Sequence, residues 1–300
     1  MITYFQAIIL GLLQGITELF PISSLGHSVI LAYLFNWRAI LGSQSKGESF
    51  FLPFLVILHV ATALALLIFY RKTWLRIFRG FFSSLKTRRI DNPDSKLAWL
   101  LVVATIPAAL IGLLLEHQLR TQFAKPLSAI IFLIINGFLL LSGDRYMESH
   151  RKSAKLEAST WSTGATISRT SDTLTLRRAV AVGLAQTGAL LAGISRSGVT
   201  IISGIYSGLN YEDAARFSFL LATPIILGAG VYKLPDFFSN LDSGARGQIL
   251  VGGLVAGIAA YFSVKYLDRY FRDRRLRPFG LYCIGIGGLM LLVGLARGHF

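Results

Sequence analysis

The chain of 300 residues is 53% hydrophobic and only 15% charged, with a mean hydropathy of +0.59. This composition is typical of integral membrane proteins and excludes an ordinary soluble domain. The net charge of +15 could suggest a nucleic-acid partner, but the Lys and Arg residues cluster in three segments between apolar runs, as membrane orientation requires. We therefore expect membrane lipid, and no nucleic acid, around this chain.

The first predicted element covers residues 4–35 and is interrupted by Pro21. A proline pushes the preceding residue out of the helical region, so we expect one helix to end near Phe20 and a second to begin near Ser23. Each half is too short to cross a bilayer comfortably. The stretch also holds a carboxylate, two serines and a histidine, and an ionisable group at bilayer depth usually has a function or a partner.

Six apolar runs further along the chain are each long enough to span the membrane. They cover about 51–70, 97–115, 127–142, 214–233, 249–267 and 279–296. A second interrupted region, 179–209, precedes the last three runs and is broken around Gly193 to Ser197.

The two interrupted regions resemble each other at one constant offset, which takes Gln14 to Gln186 and Ser23 to Ser195. Three full spans follow each region, so we predict an inverted-topology repeat of 4–142 and 179–296. The interrupted regions would be re-entrant hairpins that enter from opposite faces. The predicted fold is an all-α polytopic membrane protein, one domain over 1–300, with six full spans and two re-entrant helical hairpins.

Charge in the connecting segments predicts the orientation. Segments 71–96, 143–178 and 265–278 hold eight, seven and six Lys or Arg residues, and the other connections hold two at most. The three basic segments are therefore assigned to the cytoplasm as loops. Segment 143–178 is rich in Ser and Thr with mixed charge, so we expect a flexible polar loop there.

Four ionisable residues lie away from the ends of the predicted spans, namely Glu18, His27, His59 and Arg196. Gln14 and Glu18 are four residues apart and share a helix face. Ser24 and His27 are three residues apart, which predicts a hydroxyl and an imidazole on one face, as a nucleophile beside its base would need.

The second interrupted region contains the sequence GISRSGVT, from Gly193 to Thr200. Backbone N–H groups at a helix start and the guanidinium of Arg196 together form an anion site best suited to phosphate. Placed against the first region, this site predicts a phosphoryl-transfer centre, which needs a charge clamp, an in-line nucleophile and a proton acceptor.

Two other interpretations of these residues stay open at this point. Glu18 and Arg196 would also fit a structural ion pair between the two hairpins, although that pair leaves the adjacent serines and histidine unexplained. His59 fits equally well a hydrogen-bonding group in the core and a supporting member of the site.

Two motifs of the chain resemble the signatures of the bacitracin-resistance family of undecaprenyl pyrophosphate phosphatases. The first signature matches Gln14, Thr17, Glu18, Pro21, Ser23, Ser24, Gly26 and His27. The second matches Gly193, Ser195, Arg196, Ser197, Gly198 and Thr200. The resemblance covers nearly the whole chain, but Gln14 stands where many members carry a second Glu, and Ala192 replaces the usual Pro.

The resemblance implies a multi-pass enzyme of the bacterial cytoplasmic membrane. It would remove the terminal phosphate of undecaprenyl pyrophosphate, which recycles the lipid carrier of cell-wall synthesis and confers bacitracin resistance. It also implies dependence on a divalent cation, Mg or Ca, for which Glu18 and Gln14 are the candidate ligands; Gln14 in place of Glu weakens that site. A homodimer stays open.

Our mechanistic hypothesis gives each site residue a role. Ser24 attacks the terminal phosphorus, Glu18 and His27 handle protons, and His27 is the rival nucleophile. The remaining candidates hold the phosphate groups, namely Ser23, Ser195, Arg196, Ser197 and Thr200.

Two alternative functions are open on the sequence alone. Inverted repeats with broken helices also occur in transporters, so the leading non-enzyme alternative is a carrier or flippase for the lipid monophosphate. The other is a lipid phosphatase of the acid-phosphatase type, which needs a further His after its Ser-Arg pair. Residues 199–213 contain no His, and this disfavours that type.

Overall fold

The computed structural model of the chain describes residues 2–37, 51–115, 125–158, 173–239 and 246–297. These residues form eleven α-helices and one short 3-10 turn, with no strand among them. The helices are α1 Tyr4–Thr17, α2 Ser24–Leu34, α3 Phe51–Phe69, α4 Arg71–Thr87, α5 Pro93–Leu114, α6 Pro126–Ala158, α7 Leu176–Thr187, α8 Arg196–Tyr206, α9 Tyr211–Ser239, α10 Arg246–Asp273 and α11 Arg277–Ala296. The all-α prediction is confirmed.

Both interrupted regions consist of two short helices, as the sequence predicts. Helices α1 and α2 have 14 and 11 residues, and α7 and α8 have 12 and 11. At 1.5 Å per residue each helix is only about 17–21 Å long, less than the hydrocarbon thickness of a bilayer. The first break runs from Glu18 to Ser23, which agrees with the expected end near Phe20 and start near Ser23.

Five helices of the described residues are long and apolar enough to cross a membrane, namely α5, α6, α9, α10 and α11. A sixth span is counted if α3 and α4 are taken together, and these two helices are bent by 86° at Tyr70. The chain is therefore a polytopic membrane protein, and the count of six full spans stays a prediction. The cytoplasmic assignment of the basic segments also stays a prediction.

The three basic segments are more helical than the sequence analysis expects. A loop over 71–96 is wrong, because Arg71 to Thr87 form α4, whose buried residues recur at helical spacing. Segment 143–178 begins inside α6, which continues to Ala158, and it ends inside α7; the loop predicted over 159–172 lies outside the described residues. Only three residues separate α10 from α11. A high density of charge predicts a segment outside the membrane, but such a segment can still be a helix at the membrane surface.

Matching glycines of the two interrupted regions allow matching helix contacts. A Cβ on Gly11 in α1 would clash with the carbonyl oxygen of Gly252 in α10, and a Cβ on Gly183 in α7 would clash with that of Ala104 in α5. Small residues at such crossings allow membrane helices to approach closely. Helices α1 and α7, the first short helix of each interrupted region, therefore pack closely against a long helix of the other half. The division into two inverted halves stays a prediction, and this packing is consistent with it.

We expect Gly11→Ala to lower the melting temperature of the purified protein by about 3–10 °C, because the added methyl meets backbone that cannot move aside cheaply. Thermal unfolding in detergent measures the change. Gly285→Ala on α11 is the matched control, since a Cβ there has no atom within 4 Å and alanine favours a helix over glycine. Equal melting temperatures for the two variants would contradict the close packing.

Candidate active site

Two serines cap the helices that follow the two breaks. The Ser23 hydroxyl accepts a hydrogen bond from Gly26 N at 3.3 Å, and the Ser195 hydroxyl accepts one from Gly198 N at 3.2 Å. Serine is favoured at this position because its oxygen satisfies an N–H group that has no partner in the first helical turn. Ser23 has a positive φ of 70°, a strained conformation of the kind that often occurs at functional sites.

Asn136 on α6 joins the two breaks. Its Nδ2 donates to the Pro21 carbonyl at 3.0 Å, and its Oδ1 accepts from Ser195 N at 2.9 Å. The residue is fully buried. A Cβ on Gly26 would lie 2.9 Å from Gly193 Cα, so only the absence of a side chain permits this approach. The two interrupted regions therefore touch in the fold.

The Glu18 carboxylate is the centre of the site. Its Oε2 accepts hydrogen bonds from Ser24 Oγ at 2.6 Å and from Gln14 Nε2 at 3.2 Å. Its Oε1 accepts two hydrogen bonds from Arg196, from Nη2 at 3.1 Å and from Nε at 3.3 Å. The Glu18 side chain is only 6% exposed. One buried carboxylate thus gathers residues from both predicted motifs.

His59 on α3 completes this cluster, and its two ring nitrogens both face acceptors. Nε2 lies 3.3 Å from Glu18 Oε2, and Nδ1 lies 2.8 Å from the Leu55 carbonyl. An imidazole can donate to both acceptors only in its doubly protonated form, which is a cation. Together with Arg196 it places two positive charges beside one negative charge. The centre therefore has a net charge of about +1 and attracts anions.

Arg196 keeps donors free for a ligand. Its Nη1 donates to the Ser218 carbonyl at 3.3 Å, and two further donors are used on Glu18. A guanidinium has five N–H donors, so two have no partner among the described residues. The side chain is 13% exposed, which leaves these donors within reach of a ligand that enters the site.

Comparison with known proteins identifies the family. The family described as "Bacitracin resistance protein BacA" matches residues 7–289 of the chain. The chain belongs to the BacA family. It is 47% identical to Undecaprenyl-diphosphatase 2 of Frankia alni, over 96% of this chain and 97% of that protein. It is 49% identical to Undecaprenyl-diphosphatase of Mycolicibacterium paratuberculosis, over 97% of each chain.

In this BacA-family chain, His27 lies apart from the carboxylate. Its Nδ1 is 2.8 Å from the Ser23 carbonyl, and its Nε2 is 3.0 Å from the Tyr282 hydroxyl of α11. The Ser23 carbonyl can only accept, so Nδ1 carries a proton, and the Tyr282 hydroxyl donates to Nε2 when the ring is neutral. The two rings also stack, with centroids 5.7 Å apart. The expected pair of Ser24 and His27 on one face does not form within the described residues.

The other hydroxyls predicted to bind phosphate make hydrogen bonds within the BacA-family fold. Ser195 and Ser197 are joined through their Oγ atoms at 3.0 Å, and Ser197 also donates to the Phe20 carbonyl. Thr200 donates to the Arg196 carbonyl at 2.8 Å, and its hydroxyl lies 2.6 Å from Ser218 Oγ. These contacts position the Arg196 turn. A direct phosphate contact for these residues and for Ser23 stays a prediction.

The candidate cation ligands are one oxygen of Glu18 and one of Gln14, which do not surround an ion completely. Within the described part of the chain, no group of three or more His, Cys, Asp and Glu residues gathers. The Gln14 Oε1 atom is nevertheless buried without a hydrogen-bond partner there, and Gln14 contacts Glu18. Mg²⁺ often binds through one or two protein oxygens together with substrate phosphates. The two residues therefore fit an ion that binds with the substrate.

Two residues outside the predicted site lie beside the motifs in the structure. Asn136 bridges the breaks, and Tyr282 holds His27. The sequence allows two roles for His59, and its contact with Glu18 places it in the site. A lone Asn within an apolar run is a signal that points to Asn136, because polar residues at bilayer depth need partners. No comparable signal marks Tyr282, since tyrosine is common near membrane interfaces.

Proposed function

We propose that this chain hydrolyses undecaprenyl pyrophosphate to undecaprenyl phosphate and inorganic phosphate. Its relatives at 47–49% identity carry the name undecaprenyl-diphosphatase. The observation that carries the proposal is the 2.6 Å hydrogen bond from Ser24 Oγ to Glu18 Oε2, beside Arg196 in a site of net positive charge. As a multi-pass enzyme of the bacterial cytoplasmic membrane, it would recycle the lipid carrier for cell-wall synthesis and confer bacitracin resistance.

The first step transfers the terminal phosphoryl group to Ser24. The two free donors of Arg196 bind oxygens of that group, which neutralises the charge that develops on it. Ser24 Oγ attacks the phosphorus while Glu18 takes the hydroxyl proton. The bond from the phosphorus to the bridging oxygen breaks, and undecaprenyl phosphate leaves with the electron pair. Glu18 then passes the proton to the departing phosphate.

The second step releases inorganic phosphate. A water molecule attacks the phosphorus of phosphoserine, and Glu18, again a carboxylate, takes a proton from that water. The bond between phosphorus and Ser24 Oγ breaks, and the proton returns to Oγ. His59 stays beside Glu18 throughout and, through its positive charge, stabilises the negative charges that meet there.

Phosphate release by the purified protein tests the function. The protein in detergent micelles is mixed with undecaprenyl pyrophosphate, and inorganic phosphate and the lipid monophosphate are both quantified. We expect one phosphate per monophosphate formed. A protein that binds the pyrophosphate but releases no phosphate would overturn the proposal and leave the carrier as the better explanation. The carrier has no other support, since the names of the relatives describe diphosphatases.

We also propose that Glu18 and Gln14 would hold a divalent cation, Mg or Ca, through one oxygen each. The cation would supply charge neutralisation to the pyrophosphate. The unpartnered Gln14 Oε1 supports this assignment. A homodimer stays a prediction, because a single chain carries no information about it.

We expect Gln14→Glu to lower the Mg²⁺ or Ca²⁺ concentration for half-maximal activity by roughly tenfold, because a second carboxylate binds a hard cation more tightly than an amide. Phosphate release is measured after removal of metal by a chelator and titration with each ion. Gln6→Glu is the matched control, since it makes the same change at the capping position of α1, far from the carboxylate cluster. An unchanged titration for Gln14→Glu would count against the cation site.

A further inference from the structure

Helix α4 leaves the apolar helix α3 almost at a right angle. The bend between the two helices is 86°, at Tyr70. Because α3 is apolar along its length, we expect it to lie across the membrane and a helix perpendicular to it to run along the membrane surface. Amphipathic helices in this position place an apolar face in the boundary between headgroups and acyl chains.

One face of α4 is fixed to the protein. Trp74, Ile77 and Ser84 are buried on this face. The Trp99 indole on α5 donates to Ser84 Oγ at 3.0 Å, and a Cβ on Gly80 would lie 2.6 Å from Ser95 N. The orientation of α4 about its own axis is therefore set by packing against α5.

A second face of α4 is apolar and exposed. Leu75, Phe78, Phe82 and Leu85 follow each other at spacings of three and four residues, which places them in one stripe along the helix. Each of the four side chains is 49–64% exposed. The described residues of the protein leave this stripe uncovered.

The third face of α4 is basic. Lys72, Arg76, Arg79 and Lys86 are exposed and lie beside the apolar stripe. Arg76 reaches one carboxylate, that of Asp94, at 4.0 Å. The other three have no acidic partner in the part of the chain that the structure describes. Positive charges next to a membrane-facing apolar stripe attract the anionic headgroups of a leaflet.

We propose that α4 is an interfacial helix that binds anionic phospholipids. The stripe from Leu75 to Leu85 enters the acyl boundary, and Lys72, Arg76 and Arg79 contact the headgroup phosphates. The charge beside the stripe favours a lipid surface over a protein partner, because an apolar protein interface is depleted in lysine at its core. This surface is separate from the Glu18 site, so the proposal does not depend on the proposed function.

Lipid retention tests the charged face. The full chain in detergent is titrated with phosphatidylglycerol or phosphatidylcholine, and bound lipids are counted by native mass spectrometry. We expect the wild type to prefer phosphatidylglycerol, and the triple variant Lys72→Gln, Arg76→Gln, Arg79→Gln to lose at least about tenfold in affinity for it. The control is a second triple variant, Lys125→Gln, Arg246→Gln, Arg297→Gln, which also removes three positive charges but outside α4. Equal losses in the two triple variants, or no loss in the first, would overturn the proposal.

Cysteine labelling tests the apolar face, because it measures the exposure of each position to water rather than the affinity for a charged lipid. The single native Cys283 is buried, so the wild type serves as the blank. In nanodiscs that contain phosphatidylglycerol, a charged maleimide should label Arg79→Cys at least about tenfold faster than Phe82→Cys, because Phe82 faces the acyl region. Similar labelling rates at the two positions would show that the stripe faces water and would overturn the proposal.

Discussion

Arg196→Ala is expected to lower kcat/KM for phosphate release by about 10²–10³-fold, the usual effect of removing one donor from a charge-stabilising site. The structure gives the reason, because among the described residues Arg196 is the one link from the second interrupted region to Glu18, and two of its donors have no partner there. Arg196→Lys should recover little of the loss, since an ammonium group cannot replace the two parallel contacts of a guanidinium. Phosphate release with undecaprenyl pyrophosphate measures both variants.

A control separates catalysis from a structural ion pair. Arg216 also pairs with two carboxylates, Glu212 at 3.0 Å and Asp268 at 3.3 Å, and neither of them is Glu18. We expect Arg216→Ala to affect the melting temperature and to leave kcat/KM within a few-fold of wild type. If Arg196→Ala kept similar activity and lost only stability, the Glu18–Arg196 contact would be structural and the proposed clamp would be wrong.

The local features of the site could be predicted from sequence because they depend on neighbouring residues. Pro21 ends one helix through its own geometry, and Ser23 and Ser195 begin the next helices by capping them. The sequence also allows a pair between Glu18 and Arg196. Either charge would be costly without a partner at bilayer depth.

The remaining features depend on contacts between distant segments. Asn136 contacts Pro21 across 115 residues, and Tyr282 contacts His27 across 255 residues. No local pattern contains such contacts. Spacing also could not decide the direction of His27, because residues three apart in a helix still differ by about 60° around its axis. That difference is enough for Ser24 to face Glu18 while His27 faces α11.

Helix α4 shows a different limit of prediction. The density of basic residues in 71–96 predicts a loop, whereas the apolar residues between them form a helix. Trp74, Ile77 and Ser84 repeat at helical spacing and bury one face against α5. A search for periodicity inside the charged segment would have found this helix.

Ser24→Ala is expected to reduce phosphate release by about 10³-fold or more, because it removes the proposed nucleophile. The hydroxyl is the donor closest to the Glu18 carboxylate, at 2.6 Å. Ser28→Ala is a matched control one turn further along α2, since its buried hydroxyl has no hydrogen-bond partner in the described residues. We expect Ser28→Ala to keep nearly full activity. If Ser24→Ala were as active as Ser28→Ala, Ser24 would not be the nucleophile.

The trapped phosphoenzyme decides between Ser24 and His27. The geometry favours Ser24, because His27 Nε2, the atom that would attack, is occupied by the Tyr282 hydroxyl at 3.0 Å. Enzyme quenched during turnover with substrate labelled in the terminal phosphate should therefore carry label that survives acid and is lost in base, as a phosphate ester of serine does. Phosphohistidine has the opposite stability. Acid-labile label that disappears in His27→Asn and persists in Ser24→Ala would make His27 the nucleophile, and Tyr282 would then have to release it before each turnover.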